Sequence, residues 1–313
     1  MAEIITITFN PCIDKSTTVS ALLPEKKLKC TNPKFEPGGG GINVSKAIKS
    51  LGGDSIALFP AGGYSGKFLQ KLLNEVKIHF IAVEITSHTR ENLIVFENST
   101  SEQYRFGMPG PQLLEHEFQK CLTELKKLSC VKYIVVSGSL PAGIPKNVFK
   151  EIAQIAHNLN AKLIVDTSGE ALKQALQEEV YLIKPNLNEL SKLAGYREIK
   201  PGEEEKICKE IIAQGNCKVI VVSLGAEGAI LITEKKSIRC VPPKVHKKST
   251  VGAGDSMVAG IVLSLQNGKT LEEAIQFGIA CGTAATMNAG TELCHRKNVE
   301  ELYPLIKVFQ ESY

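Results

Sequence analysis

The chain has 313 residues, 43% of them hydrophobic, with a formal net charge of +4. That size and balance suit one large α/β domain or two modest ones, and the basic residues fall in short groups such as Lys26-Lys27 and Lys247-Lys248, which argues against a nucleic-acid track and for a small anionic ligand. No apolar run approaches the roughly 20 residues of a membrane span, MAEIITITFN shows no signal-peptide pattern, and nine cysteines without CxxC spacing suggest free thiols in a reducing cytoplasm rather than disulfides or a metal site.

Residues 4–9 form a β-branched run that reads as a buried strand, delivering Asn10, Pro11 and Asp14 at its carboxyl end. Residues 15–36 read as a hairpin standing off the main sheet and carrying Lys26, Lys27 and Lys29. Then comes Gly38-Gly39-Gly40-Gly41-Ile42-Asn43, running into an apolar pattern with helical spacing that ends at Gly52-Gly53. Four glycines in a row are entropically unfavourable unless something approaches the backbone closely. The spacing matches neither a P-loop nor a dinucleotide fingerprint, and no acidic residue is placed as a nicotinamide oxidoreductase requires.

Residues 54–84 predict strand, helix, strand. Residues 91–107 predict two strands around a polar turn, flanked by Arg90 and Arg105. From residue 113 helices and strands alternate, which indicates a mainly parallel sheet. Polar motifs fall at strand carboxyl ends, where such sheets bind ligands: Ser137-Gly138-Ser139, Asp166, Lys184-Pro185-Asn186 before a helix bearing Glu189, and Ser223-Leu224-Gly225. Residues 227–241 predict a strand pair. The tail predicts helices over 253–266, 271–288 and about 297–310.

Ser249–Gly260, STVGAGDSMVAG, is the stretch that organises the rest. Gly252-Ala253-Gly254 is a tight turn into a helix, where amide groups and the helix dipole favour an anion. Asp255 lies beside it in the first helical turn. Alone, this GxGD reads as an ordinary helix start. With two glycine turns and an early Asp14, it fits a base that takes a proton from a hydroxyl attacking a phosphoryl group.

Together, GGGGINVSKAIKSLGG and STVGAGDSMVAG resemble the two signatures of the PfkB (ribokinase-like) carbohydrate kinase family. Detail such as EQYRFGMPG, KPNLNEL and FGIACGTAATMNAGTELC is similar to the branch acting on fructose 6-phosphate. Relatives acting on fructose 1-phosphate or tagatose 6-phosphate usually carry GGKG where this chain has four glycines.

The resemblance implies an α/β fold: a ribokinase-like three-layer α/β/α sandwich with a mainly parallel central sheet. It also implies one kinase domain over 1–313, with a small β lid from about 15–36 and 90–107. The implied activity is ATP-dependent phosphorylation of fructose 6-phosphate at its 1-hydroxyl. The implied alternatives are tagatose-6-phosphate or fructose-1-phosphate kinase, or remotely a non-catalytic sugar or nucleotide sensor.

Asp255 is implied as the base, with Gly252, Ala253 and Gly254 as the anion hole. Asp14, Gly39, Gly40 and Asn43 are implied for the sugar hydroxyls, and Arg90 and Ser139 for the phosphate end. Lys27 is implied to reach in from the hairpin, with Arg105 weaker. Lys184, Asn186, Ser223, Gly225 and Gly228 are implied for ATP, and Asn186 with Glu189 for Mg²⁺ through water. Ser249, Val251, Ala285, Asn288 and Gly290 resemble a monovalent-cation loop suited to K⁺. Glu292 stands where the branch acting on fructose 6-phosphate has a basic residue. The partners implied are small molecules and a second copy paired through the lid, with no nucleic acid and no membrane.

Overall fold

Strand Ile4–Ile7 (β1) sits where a ten-stranded sheet reverses its order of construction in the computed structural model, which describes residues 2–200 and 202–312. On one side lie Ile56–Ala61 (β4) and His79–Glu84 (β5). On the other lie Tyr133–Ser137 (β8), Lys162–Asp166 (β9), Val180–Ile183 (β10) and Cys217–Ser223 (β11), all parallel to β1. Ala229–Ile232 (β12), Lys236–Val241 (β13) and Lys307–Ser312 (β14) extend the β11 edge in antiparallel fashion. The crevice above β1 and β8 is therefore the switch point at which open α/β sheets take ligands.

The parallel strands are short and rich in Ile and Val because both faces are covered. Alternation divides β8: Ile134 and Val136 pack with one helical layer, Val135 with the other. The first layer holds Glu115–Lys126 (α3), Val148–Asn158 (α4), Gly169–Ala175 (α5), Leu187–Ala194 (α6) and Glu204–Ala213 (α7). The second holds Gly40–Ser50 (α1), Ala253–Gln266 (α8), Leu271–Thr286 (α9) and Arg296–Leu302 (α10). These are the three expected layers. No helix among the described residues is long and apolar enough to cross a membrane.

A second sheet of four strands stands apart from the first, in the order Lys34–Gly38 (β3), Cys12–Val19 (β2), Arg90–Glu97 (β6), Glu102–Phe106 (β7). Asp14 is thus the third residue of β2, not part of a turn after β1. Register places Asp14 opposite Glu36 on one neighbour and Asn92 on the other, while Cys12 lies opposite Gly38 and Arg90. Side chains paired across strands share a face, so Asp14, Glu36, Arg90 and Asn92 line one surface. From the opposite face Ile13 packs with Ile42, Phe59 and Leu69, joined by Phe35, whose ring meets Phe68 edge-on; Phe68 and Leu69 belong to Gly63–Glu75 (α2).

The tail departs from expectation. The helix predicted to reach about residue 310 ends at Leu302, a 3₁₀ turn containing Pro304 follows, and β14 then pairs with β13. Proline removes a helical donor, and β13 presents an open edge that a strand satisfies. All nine cysteines are free; Cys30 and Cys130 are exposed and the rest buried.

Candidate active site

The amides at the start of α8 define the centre. Gly252 caps the helix at φ 72°, a left-handed conformation suited to glycine, and a Cβ there would collide with Leu293. Ser256 donates to the Gly252 carbonyl at 2.8 Å, and Ala253 reaches Thr250 only at 3.4 Å. Among the described residues, the N–H groups of Gly252, Gly254 and Asp255 find no protein acceptor, as the opening turn of a helix dictates.

Asp255 is half-buried beside these amides. Its Oδ2 accepts from Asn43 Nδ2 at 3.0 Å, and its Oδ1 accepts from Ser137 Oγ at 3.5 Å. Burial, reinforced by the Asp166 charge, raises its pKa to about 6, while Asn43, Lys184 and Ser137 pull the other way. Lys184 is buried and pairs with Asp166 at 3.1 Å. Burial opposes its charge, but Asp166, Asp255 and Glu189 together hold its pKa above the ordinary lysine value. A Cβ on Gly254 would lie 3.3 Å from the Lys184 ammonium, so the cation sits under the turn.

The glycine run leads α1 over the ends of β1 and β8. Gly39 caps the helix at φ 111°. Cβ atoms on Gly40 and Gly41 would collide with Ser137 and Gly138, and with Ile7 and Thr8, respectively. These two glycines therefore serve backbone-to-backbone contact, which brings Asn43 to Asp255. Ser139, just past β8, accepts from Asn10 Nδ2 at 3.0 Å.

On the lid, Asp14 Oδ1 accepts from Asn92 Nδ2 at 2.9 Å, and Oδ2 faces Gly38. Arg90 is not a free arm: its two terminal nitrogens donate to the carbonyls of Met108 and Asn10, each at 3.1 Å. Its Nε, and the neighbouring Asn10 Oδ1, are buried without a partner, a cost that native proteins confine to few places. Lys27 is exposed on the irregular segment between β2 and β3, with no ion pair or side-chain hydrogen bond to the other candidates. Arg105 is exposed on β7.

At the far end, Asn186 and Glu189 form a capping box on α6: each side chain accepts from the other's amide at 2.9 Å. Asn186 is bridged to Ser223, whose amide donates to Pro185. Gly225 and Gly228 differ. A Cβ on Gly225 meets open space, whereas one on Gly228 would collide with the Cys240 carbonyl. Gly228 therefore serves packing on β13.

Below the turn, Ser249 Oγ donates to the Gly290 carbonyl at 2.8 Å and Asn288 Nδ2 to the Leu293 carbonyl at 2.7 Å. The Ala285 carbonyl accepts from Asn288. Those of Ser249, Val251 and Asn288 receive no protein donor among the described residues. An all-oxygen, uncharged donor set fits a hard cation. The Glu292 carboxylate is engaged by His295 at 2.7 Å.

The sequence reading gave no role to Asp166, Asn92 or Lys46. Asp166 had a visible signal, a carboxylate at a strand's carboxyl end. Lys46 lies one turn after Asn43 on α1, and its ammonium donates to the Pro37 carbonyl at 3.0 Å. Burial lowers its pKa, against the pull of Glu36, Asp14 and Asp255.

Residues 4–298 match the pfkB family of carbohydrate kinases. The chain is 43% identical over 304 residues to the ATP-dependent 6-phosphofructokinase isozyme 2 of Escherichia coli, covering 97% of this chain and 98% of that one. It is 35% identical to a 1-phosphofructokinase of Borreliella burgdorferi, covering 97% and 98%. The crystal structure of Escherichia coli phosphofructokinase-2 in complex with potassium superposes with a TM-score of 0.93 at 43% identity, over 97% of this chain and 99% of that one. The tetrameric inhibited form of the same protein gives 0.91 at 42% identity, with the same coverage.

Proposed function

Because the chain belongs to the pfkB family of carbohydrate kinases, we propose that it phosphorylates fructose 6-phosphate at the 1-hydroxyl with ATP, using Asp255 as general base. The observation that carries this reading is one juxtaposition. A carboxylate whose pKa is raised to about 6 stands in the same helical turn as amide N–H groups that no protein acceptor engages among the described residues. A base tuned near the working pH is efficient, and fixed amides stabilise charge that grows during transfer. As the sugar oxygen attacks the γ-phosphorus, its proton passes to Asp255. The bond from that phosphorus to the ATP bridging oxygen breaks, and ADP leaves. Gly252, Ala253 and Gly254 meet the charge on the transferring group, with the Lys184 ammonium beneath them. Asn43 and Ser137 fix the direction in which Asp255 points.

The sugar hydroxyls are assigned to Asp14, Gly39, Gly40 and Asn43, and its phosphate end to Arg90 and Ser139, with Lys27 closing from the lid. The buried, unpartnered Arg90 Nε–H supports that placement, since a cationic donor gains from an anion nearby. ATP is assigned to Lys184, Asn186, Ser223 and Gly225, with Gly228 packing the loop that carries them; the open space at Gly225 favours it as the nucleotide side.

Mg²⁺, when bound, neutralises charge across the ATP phosphates. Among the described residues no cluster of three His, Cys, Asp or Glu side chains forms a direct cage. Asn186 and Glu189 spend one oxygen each on the cap, which suits an ion that keeps its waters. K⁺ is assigned to the loop of Ser249, Val251, Ala285, Asn288 and Gly290, where it would brace the turn. Five large apolar side chains stay exposed on or beside the lid, namely Leu23, Phe96, Tyr104, Phe106 and Met108, with Tyr104 and Phe106 on one face of β7. Such exposure favours pairing with a second copy.

A kcat/KM comparison with fructose 6-phosphate, tagatose 6-phosphate and fructose 1-phosphate, reading ADP release, tests the reading. At least tenfold preference for fructose 6-phosphate is expected; a smaller margin or another order transfers the assignment to a sister activity. No ADP release with any sugar refutes catalysis.

A further inference from the structure

Glu36 and Thr291 are 255 residues apart, and the Thr291 hydroxyl donates to Glu36 Oε2 at 2.6 Å. Neither residue contributes to the chemistry above. Yet Glu36 lies directly opposite Asp14 in the β2–β3 register, on the same lid face. Thr291 follows Gly290, whose carbonyl accepts from Ser249, and precedes Leu293, which fills the space under Gly252. Both partners are shielded: Thr291 is 8% exposed, and the Glu36 side chain 17%. Lys34 pairs with the other Glu36 oxygen at 3.1 Å, and the Lys46 ammonium holds the Pro37 carbonyl next to it.

We infer that Glu36 and Thr291 are positioning residues that couple sugar binding on the lid to monovalent-cation binding beneath the anion hole. β3 is the only covalent route by which a lid anchored at Asp14 runs into the Gly38–Gly41 turn. The Glu36–Thr291 bond adds a second, non-covalent route, and it ends in the cation loop. A sugar phosphate that fixes Asp14 and Gly39 fixes Glu36 with them, and Glu36 then holds Thr291, Gly290 and Leu293 in the conformation that presents the loop carbonyls. Coupling is reciprocal: the cation orders the same loop and so favours the lid position that the sugar selects. This inference rests on the cation and sugar assignments proposed above.

The test is calorimetric, since the chain has no tryptophan to report on the site. The melting temperature of the full chain is followed against KCl at constant ionic strength, balanced with tetramethylammonium chloride, with and without fructose 6-phosphate. Ligands that bind the native state raise the melting temperature according to their affinity. In the unmodified protein, saturating fructose 6-phosphate is expected to lower the half-effective KCl concentration by about fivefold or more, the usual lower range of coupling between sites. Thr291→Val keeps the shape but removes the donor; its response to KCl is expected to be the same with and without the sugar. Thr291→Ser restores the hydroxyl and is expected to restore the shift, so loss through misfolding is recognised. A Thr291→Val protein with coupling equal to the parent's overturns the inference, as does a parent stabilised by each ligand with no mutual effect. A parent that responds to neither KCl nor the sugar overturns the site assignments themselves.

Discussion

Asn43 and Asp255, 212 residues apart in sequence, are joined by a 3.0 Å hydrogen bond from the amide to the carboxylate. One side chain comes from the helix after the first glycine turn, the other from the helix after the second. The bond favours the ionised form of Asp255. Asn43→Ala is therefore expected to raise the acidic limb of the kcat–pH profile by about one unit, the free energy of a hydrogen bond to a charged group. A pH profile of kcat measures it directly.

Asp166 acts in the opposite sense. Its charge raises the Asp255 pKa, so Asp166→Asn is expected to move the same limb to lower pH. The substitution also leaves Lys184 buried without its partner, which costs on the order of 3 kcal/mol of stability. The pH profile and a urea melt together check this, and the two shifts, upward for Asn43→Ala and downward for Asp166→Asn, should bracket the parent profile.

The raised pKa has a consequence for stability. A carboxyl group that binds its proton more tightly when folded destabilises the folded state as pH rises from the unfolded value, near 3.9, through about 6. Asp255→Asn is expected to be more stable than the parent by about 1 kcal/mol at pH 7 to 8, a figure discounted for the partial exposure of the group. That advantage should disappear below pH 4. Thermal melts of both proteins across pH 4 to 8 measure it.

Gly225 and Gly228 separate nucleotide contact from packing. Gly228→Ala is expected to destabilise the protein by 2 kcal/mol or more, on the order expected for overpacking plus a positive φ, because the added methyl meets the Cys240 carbonyl. Gly225→Asn tolerates its φ of 63° and is expected to fold normally while raising the KM for ATP more than that for the sugar. Steady-state kinetics beside urea melts distinguish the two.

Much of this site could be read before any coordinates, because its parts are short, local and chemically marked. GAGD opening an apolar helix shows both the amides and the carboxylate within four residues. Asn186 and Glu189 have the spacing of a cap and of a motif at once. What sequence could not give is which distant parts meet. Nothing local brings Asn43 to Asp255, or sets Asp166 against Lys184. Arg90 reads as a free clamp, yet two backbone carbonyls occupy its terminal nitrogens. Gly40 reads as a ligand contact, and sequence alone does not show that Ser137 and Gly138 also fill the space where a side chain would be. The C-terminal strand was hidden because its partner edge, β13, is defined only by the folded sheet.

The central claim is that Asp255 takes the proton from the attacking hydroxyl. Asp255→Asn keeps the size and the Asn43 contact while removing the proton acceptor. Measured at pH 8 with saturating ATP and fructose 6-phosphate, kcat is expected to fall by at least ~100-fold, with both KM values within a few-fold of the parent. A kcat within threefold of the parent would contradict the assignment.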